Sequence, residues 1–201
     1  MIDRIVVPLD RSALSEIAIP FATTLAGMVG ARIEYLTVVP EQEDLDTGGA
    51  DRYLLKIAER HPPSTDFRIV VRMGSAADVI VDEADHPGAM IVMATHGRGG
   101  LQRMLVGSIA DIVVRTATVP VALIRDGVGM GTVLEPFSHI LVPLDGSDRS
   151  ATSLPLAIEL ARRSGAHLHL LQVVPPVQVN EIGYASDASL LSPDVYADMM
   201  D

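Results

Sequence analysis

Five apolar runs divide this chain, and the stretches between them repeat their hydrophobic residues every three or four positions. The runs are Arg4 to Asp10, Arg32 to Val39, Phe67 to Met73, Ala89 to Met93 and Val119 to Arg125. Short continuous apolar runs bounded by turn residues fit strands buried on both faces. Leu14, Ile17, Ala18, Phe21, Ala22 and Leu25 form a helical stripe, capped by Ser12 or Ser15 and ended between Gly27 and Gly30. Further helices are expected at Arg52 to His61, Ala76 to Ala84 and Ile109 to Arg115. Strands alternating with helices predict an α/β fold: a doubly wound, five-stranded parallel sheet with helices on both faces.

Beyond a glycine-rich stretch the pattern begins again. His139-Ile-Leu-Val-Pro-Leu-Asp-Gly-Ser147 repeats Arg4-Ile-Val-Val-Pro-Leu-Asp-Arg-Ser12, with Asp145 standing 135 positions after Asp10. The same offset relates Pro20 to Pro155, Gly30-Ala31 to Gly165-Ala166, and Val38-Val39-Pro40 to Val173-Val174-Pro175. A gap-free register across strand, helix and strand indicates a duplicated domain. We divide the chain into a complete domain (1–126), a linker (127–137) and an incomplete second copy with an acidic tail (138–201). A lone β-α-β unit is marginal by itself, so the second copy is expected to dock on the first domain or on another chain, unless the rest of a full second domain is absent from this sequence.

Composition narrows the chemistry. With 48% hydrophobic and 3% aromatic residues the core is aliphatic. A net charge of −11 argues against a nucleic-acid-binding surface. The absence of cysteine removes disulfides, thiolate metal sites and a cysteine nucleophile. No apolar run approaches the roughly 18–20 residues of a membrane span, and the start of the chain lacks the shape of a signal peptide. A cytoplasmic protein is therefore expected.

The stretch Met93-Ala-Thr-His-Gly-Arg-Gly-Gly-Leu-Gln-Arg-Met-Leu-Val-Gly-Ser108 joins a buried strand to a helix. Unpaired backbone N–H groups and the helix dipole favour an anion at such a junction, and glycines permit its close approach. Each residue there also has a plainer role. Asp10 can cap the first helix, Gly97 to Gly100 can form an ordinary loop, and Arg98 and Arg103 can solvate it. His96 has no adjoining carboxylate to orient it as a base. The remaining histidines are scattered and show no metal-ligand spacing. Neither G-x-x-x-x-G-K-[ST] nor a G-x-G-x-x-G after the first strand occurs, which excludes P-loop and Rossmann fingerprints.

The Ile-Val-Val-Pro-Leu-Asp10 strand, the Val38-Val39-Pro40 strand end and a G-x2-G-x9-G-[ST] loop together resemble the universal stress proteins of bacteria, in tandem form. Ala94 stands where the loop's first glycine would be; Gly97, Gly107 and Ser108 fill the other positions. The resemblance implies a flavodoxin-like, adenine-nucleotide-binding type of sheet that holds ATP, with Mg²⁺ carried on its phosphates. By position, Pro8, Asp10 and Val38 would frame adenine and ribose, and Met93 and Ala94 would lie near the ribose. Gly97, Arg98, Gly107, Ser108 and Ile109 would surround the phosphates. It also implies a homodimer paired through strand 119–125.

The leading functional expectation is an ATP-binding regulatory stress-response protein that acts through nucleotide occupancy, with at most slow hydrolysis. The alternative is a dimeric interaction module that binds no nucleotide, in which Ala94 marks a lost site. An adenylating enzyme is a third reading, for which the sequence offers no second-substrate pocket.

Overall fold

The computed structural model describes residues 2–40, 47–95, 107–125 and 137–173. The first 125 residues supply β1 (Arg4–Pro8), α1 (Ala13–Glu16), α2 (Ala18–Val29), β2 (Arg32–Val39) and α3 (Thr47–Arg60). They continue with β3 (Phe67–Met73), α4 (Ala76–Ala84), β4 (Ala89–Ala94), α5 (Ser108–Thr116) and β5 (Val121–Ile124). All five strands are parallel, in the order β3-β2-β1-β4-β5.

Alternation along the strands divides the core between two faces. Ile5, Val7, Ile33, Tyr35, Met90 and Val92 pack against Ala22 and Leu25 of α2 and Leu54 and Ile57 of α3. Val6, Leu36, Val70, Ile91 and Met93 face Ala77 and Ile80 of α4 and Ala110 and Val113 of α5. Because both faces are covered, the central strands read as unbroken apolar runs. Among the described residues, the buried ionic groups of this sheet are paired. Glu34 is fully buried and meets Arg4 Nη1 at 3.5 Å and Arg68 Nε at 2.7 Å, while Arg4 Nη2 donates to the Glu83 carbonyl at 2.8 Å.

Two boundaries differ from the sequence reading. The first helix divides at Ile17 instead of running through. Pro20 has no N–H to give the Glu16 carbonyl, so it is accommodated in the first turn of a new helix. In addition, α3 begins at Thr47, five residues ahead of the expected Arg52, and so includes Gly48 and Gly49. Burial of Ala50, Leu54 and Ile57 outweighs the poor helix propensity of two glycines.

The second copy contributes β6 (His139–Leu144), α6 (Asp148–Ala151), α7 (Leu154–Ser164) and β7 (His167–Gln172), with β6 and β7 forming a separate parallel pair. Pro155 sits in the first turn of α7 as Pro20 does in that of α2. The unit rests on α2. The Phe21 and Phe137 rings lie 5.5 Å apart, Leu156 and Leu160 pack against the first core, and Arg163 Nη1 donates to the Met28 carbonyl at 3.5 Å. Among the described residues nothing covers its opposite sheet face: Leu141 and Leu171 are exposed, whereas their counterparts Val6 and Leu36 are fully buried beneath α4 and α5. Among the described residues no helix is long and apolar enough to cross a membrane.

Candidate functional site

The chain leaves β1 toward β2 on one side and returns to β4 on the other, so the carboxyl ends of β1 and β4 diverge. Open parallel sheets receive ligands at such a switch point. Pro8, half-buried, ends β1, and the Leu9 N–H donates to the Leu36 carbonyl at 2.8 Å. The Thr37 hydroxyl donates to the Leu9 carbonyl at 3.0 Å. These two bonds fix where β1 opens into the Asp10 turn. Val38 lies half-buried at the end of β2, and Met93 and Ala94 are buried at the end of β4.

Thr95 joins the far side of the crevice. It is buried, donates its N–H to the Ile124 carbonyl at 2.9 Å and accepts the N–H of Gly107. The loop from β4 therefore leaves and returns at one residue, which sets the start of α5 beside the end of β4. Gly107 precedes the helix with φ −66° and ψ 154°, and Ser108 and Ile109 follow it, exposed. The first intrahelical bond is made by the Asp111 N–H to the Gly107 carbonyl, so the earlier amides have no intrahelical acceptor.

Ala94 raises no conformational difficulty. Arg11, with φ +66°, is the one non-glycine residue in the left-handed region among the described residues. Ala94 sits in a regular ladder opposite Ile124 and requires no glycine there.

Asp10 has a structural occupation. Its Oδ1 accepts the Ser12 N–H at 3.0 Å and the Ser12 hydroxyl at 2.5 Å. Ser12 Oγ accepts the Ser15 N–H at 3.2 Å, and Ser15 Oγ in turn accepts the Asp10 N–H at 3.3 Å. This closed set caps α1. Asp145, Ser147 and Ser150 repeat it bond for bond before α6. There the Ser147 hydroxyl, followed by the Ser147 N–H and the Ser150 hydroxyl, holds the Asp145 carboxyl down to about 2.

The structure thus brings Pro8, Asp10, Val38, Met93, Ala94, Gly107, Ser108 and Ile109 to one end of the sheet. Gly97 and Arg98 lie outside the described residues, as do His96, Arg103, most of the linker and the acidic tail. Three residues were not singled out by sequence. Thr37 and Thr95 hold the strand ends, and their place at the close of apolar runs was the available signal. Tyr53 of α3 donates its hydroxyl to Glu16 Oε1 at 3.1 Å beside the Asp10 turn. Burial, reinforced by Glu16, raises its phenol.

Comparison with known proteins agrees with this architecture. A universal stress protein of Mycobacterium tuberculosis is 33% identical over 102 residues, covering 50% of this chain and 34% of that protein. The chain thus spans well under two thirds of its relative's length. The crystal structure of a universal stress protein from Archaeoglobus fulgidus superposes with a TM-score of 0.65 at 20% identity, over 86% of this chain and 68% of that one. A universal stress protein solved in complex with cAMP superposes with a TM-score of 0.53 at 23% identity, over 62% of this chain and 97% of that one. The Universal stress protein family itself matches residues 1–125 and 136–198. With nearly the whole chain matched and the sheet order in place, the protein belongs to the universal stress protein family.

Proposed function

We propose that this chain binds an adenine nucleotide, ATP foremost, in the crevice between β1 and β4, and that occupancy governs its associations. The observation that carries the reading is the placement of the α5 N-terminus at the switch point, behind an extended glycine and an exposed serine. Donors there suit a phosphate chain. Pro8 and Val38 would flank the base, Met93 and Ala94 the ribose, and Gly107, Ser108 and Ile109 the phosphates. Asp10 would offer a carboxylate oxygen to a ribose hydroxyl while its Oδ1 continues to cap α1. Magnesium would be held by phosphate oxygens and water. The related protein solved with cAMP supports an adenine ligand for this fold. We assign no catalytic residue.

Titration calorimetry of the full chain with Mg-ATP, beside Gly107→Asp, tests the reading. A φ of −66° accommodates any residue, so the substitution adds a negative charge without backbone strain. Binding by the parent protein that is lost in a folded variant is the expected result. No heat at millimolar nucleotide would overturn it.

A second reading concerns association. β5 is an edge strand, and beside it α5 exposes Ile109, Ile112 and Val114. An apolar edge of this kind suits pairing with a second copy. Sedimentation of Val121→Lys would show a monomer if the β5 edge makes a dimer; an unchanged assembly would exclude the strand.

A further inference from the structure

At the amino ends of the strands, opposite the crevice between β1 and β4, three neighbouring strand starts set three charged residues in a row. Arg32 opens β2. Its N–H donates to the Asp3 carbonyl at 3.0 Å, and the Ile33 N–H donates to the Asp66 carbonyl at 2.9 Å. Asp3 and Asp66 thus flank Arg32 just ahead of β1 and β3. A strand spacing of about 4.8 Å puts the two aspartate backbones roughly 9–10 Å apart. Together with Gly30, Thr65 and His86, these residues line a cavity of about 430 Å³, within the range of small-molecule sites. Asp3, Arg32, Asp66 and His86 are exposed, and among the described residues their side chains make no ion pair. The Thr65 hydroxyl is buried without a hydrogen-bond partner.

We propose that this cavity binds a small zwitterion of the basic α-amino acid class. A simple anion would satisfy Arg32 and meet two carboxylates; a simple cation would do the reverse. A dibasic amino acid carries a cationic group at each end and a carboxylate beside one of them, which answers the Asp3-Arg32-Asp66 row. The guanidinium matches a carboxylate through paired donors, and the aspartates accept from the two cationic groups. Among the described residues no three His, Asp or Glu side chains are grouped to hold a metal ion, so an organic cation is the partner that suits these carboxylates. With His86 neutral, two carboxylates and one guanidinium leave the lining one negative charge, which the ligand's net positive charge offsets. A buried hydroxyl is costly to leave unpaired, and Thr65 can donate to the ligand's carboxylate. Backbone bonds already hold the strand starts in place, so little ordering is needed on binding. The cavity shares no residue with the crevice at the carboxyl ends of the strands.

Calorimetric titration of the full chain with L-lysine at low ionic strength tests the proposal and should give saturable one-to-one binding. Butylamine and acetate, which carry one charge each, should bind far more weakly. Loss of one charge-assisted hydrogen bond weakens binding by roughly tenfold or more, so Arg32→Gln and Asp66→Asn should each show that loss. Arg162→Gln, which changes an exposed arginine on α7, should alter nothing. Lysine should shift the amide resonances of Gly30, Arg32 and Asp66 and leave those of Val38 and Ala94 in place. Circular dichroism would verify that the variants fold. No saturable binding at millimolar lysine, equal binding of butylamine, or lysine binding unaffected by both Arg32→Gln and Asp66→Asn would overturn the proposal.

Discussion

Arg11 and Gly146 occupy the same left-handed turn in the two copies, with φ of +66° and +82°, immediately after the capping aspartates. The second copy fills this position with the residue that adopts it freely. The first fills it with a branched, charged side chain whose Cβ crowds the neighbouring carbonyl.

Relief of that crowding should stabilise the first domain. Arg11→Gly is expected to gain about 1 kcal/mol in urea denaturation, less whatever the arginine side chain contributes. Gly146→Ala should shift stability the other way. At that site an added Cβ meets Gln172 Nε2 at an ordinary 3.5 Å, so the loss comes from φ alone.

The Asp145 cap should resist acid. Its folded carboxyl titrates at about 2, below the ordinary 3.8, so it binds protons less readily folded than unfolded. Its contribution is full above 3.8 and disappears as pH falls through 2. Carboxyl carbon shifts followed by NMR should place the Asp145 midpoint in that low range, and Ser147→Ala should move it upward.

Glu34 should be among the most sensitive charged positions. Removing one member of a buried pair leaves the other charged and desolvated, at a cost of about 3–5 kcal/mol. Glu34→Ala strands Arg4, so its urea midpoint should fall sharply. Asp111→Ala removes an exposed pair with Arg115 and should leave the midpoint where it was.

Phe137 should control how firmly the second unit is held. Aromatic pairs contribute about 0.5–1.5 kcal/mol beyond area burial, and this pair links the unit to Phe21 of α2. Phe137→Ala should accelerate amide exchange in β6 and β7 while leaving β1 and β4 protected. Equal acceleration in both sheets would show that the two units unfold as one.

The strands were legible because burial on both faces makes them unbroken apolar runs, and the duplication was legible because its offset never slips. Helix limits were less so. The consequence of Pro20 lay in a missing donor at one position, and the early start of α3 depended on what Leu54 and Ile57 pack against. Within the candidate site, the Asp10 motif lies at the carboxyl end of β1, and the visible bonds to Asp10 belong to the helix cap. Thr95 was overlooked since its importance lies in backbone bonds to Ile124 and Gly107, which no side-chain pattern announces.

The near-identity of β1 and β6 makes this chain a competitor with itself while it folds. Ile140-Leu-Val-Pro-Leu-Asp145 carries the pattern of Ile5-Val-Val-Pro-Leu-Asp10, so either segment can present the same face and turn to β2. A β6 that reached β2 first would displace the central strand and strand the N-terminus outside the sheet. Synthesis from the N-terminus gives β1 the earlier opportunity. Refolding from denaturant removes that advantage, and a slow, off-pathway population is the expected signature of the swapped pairing.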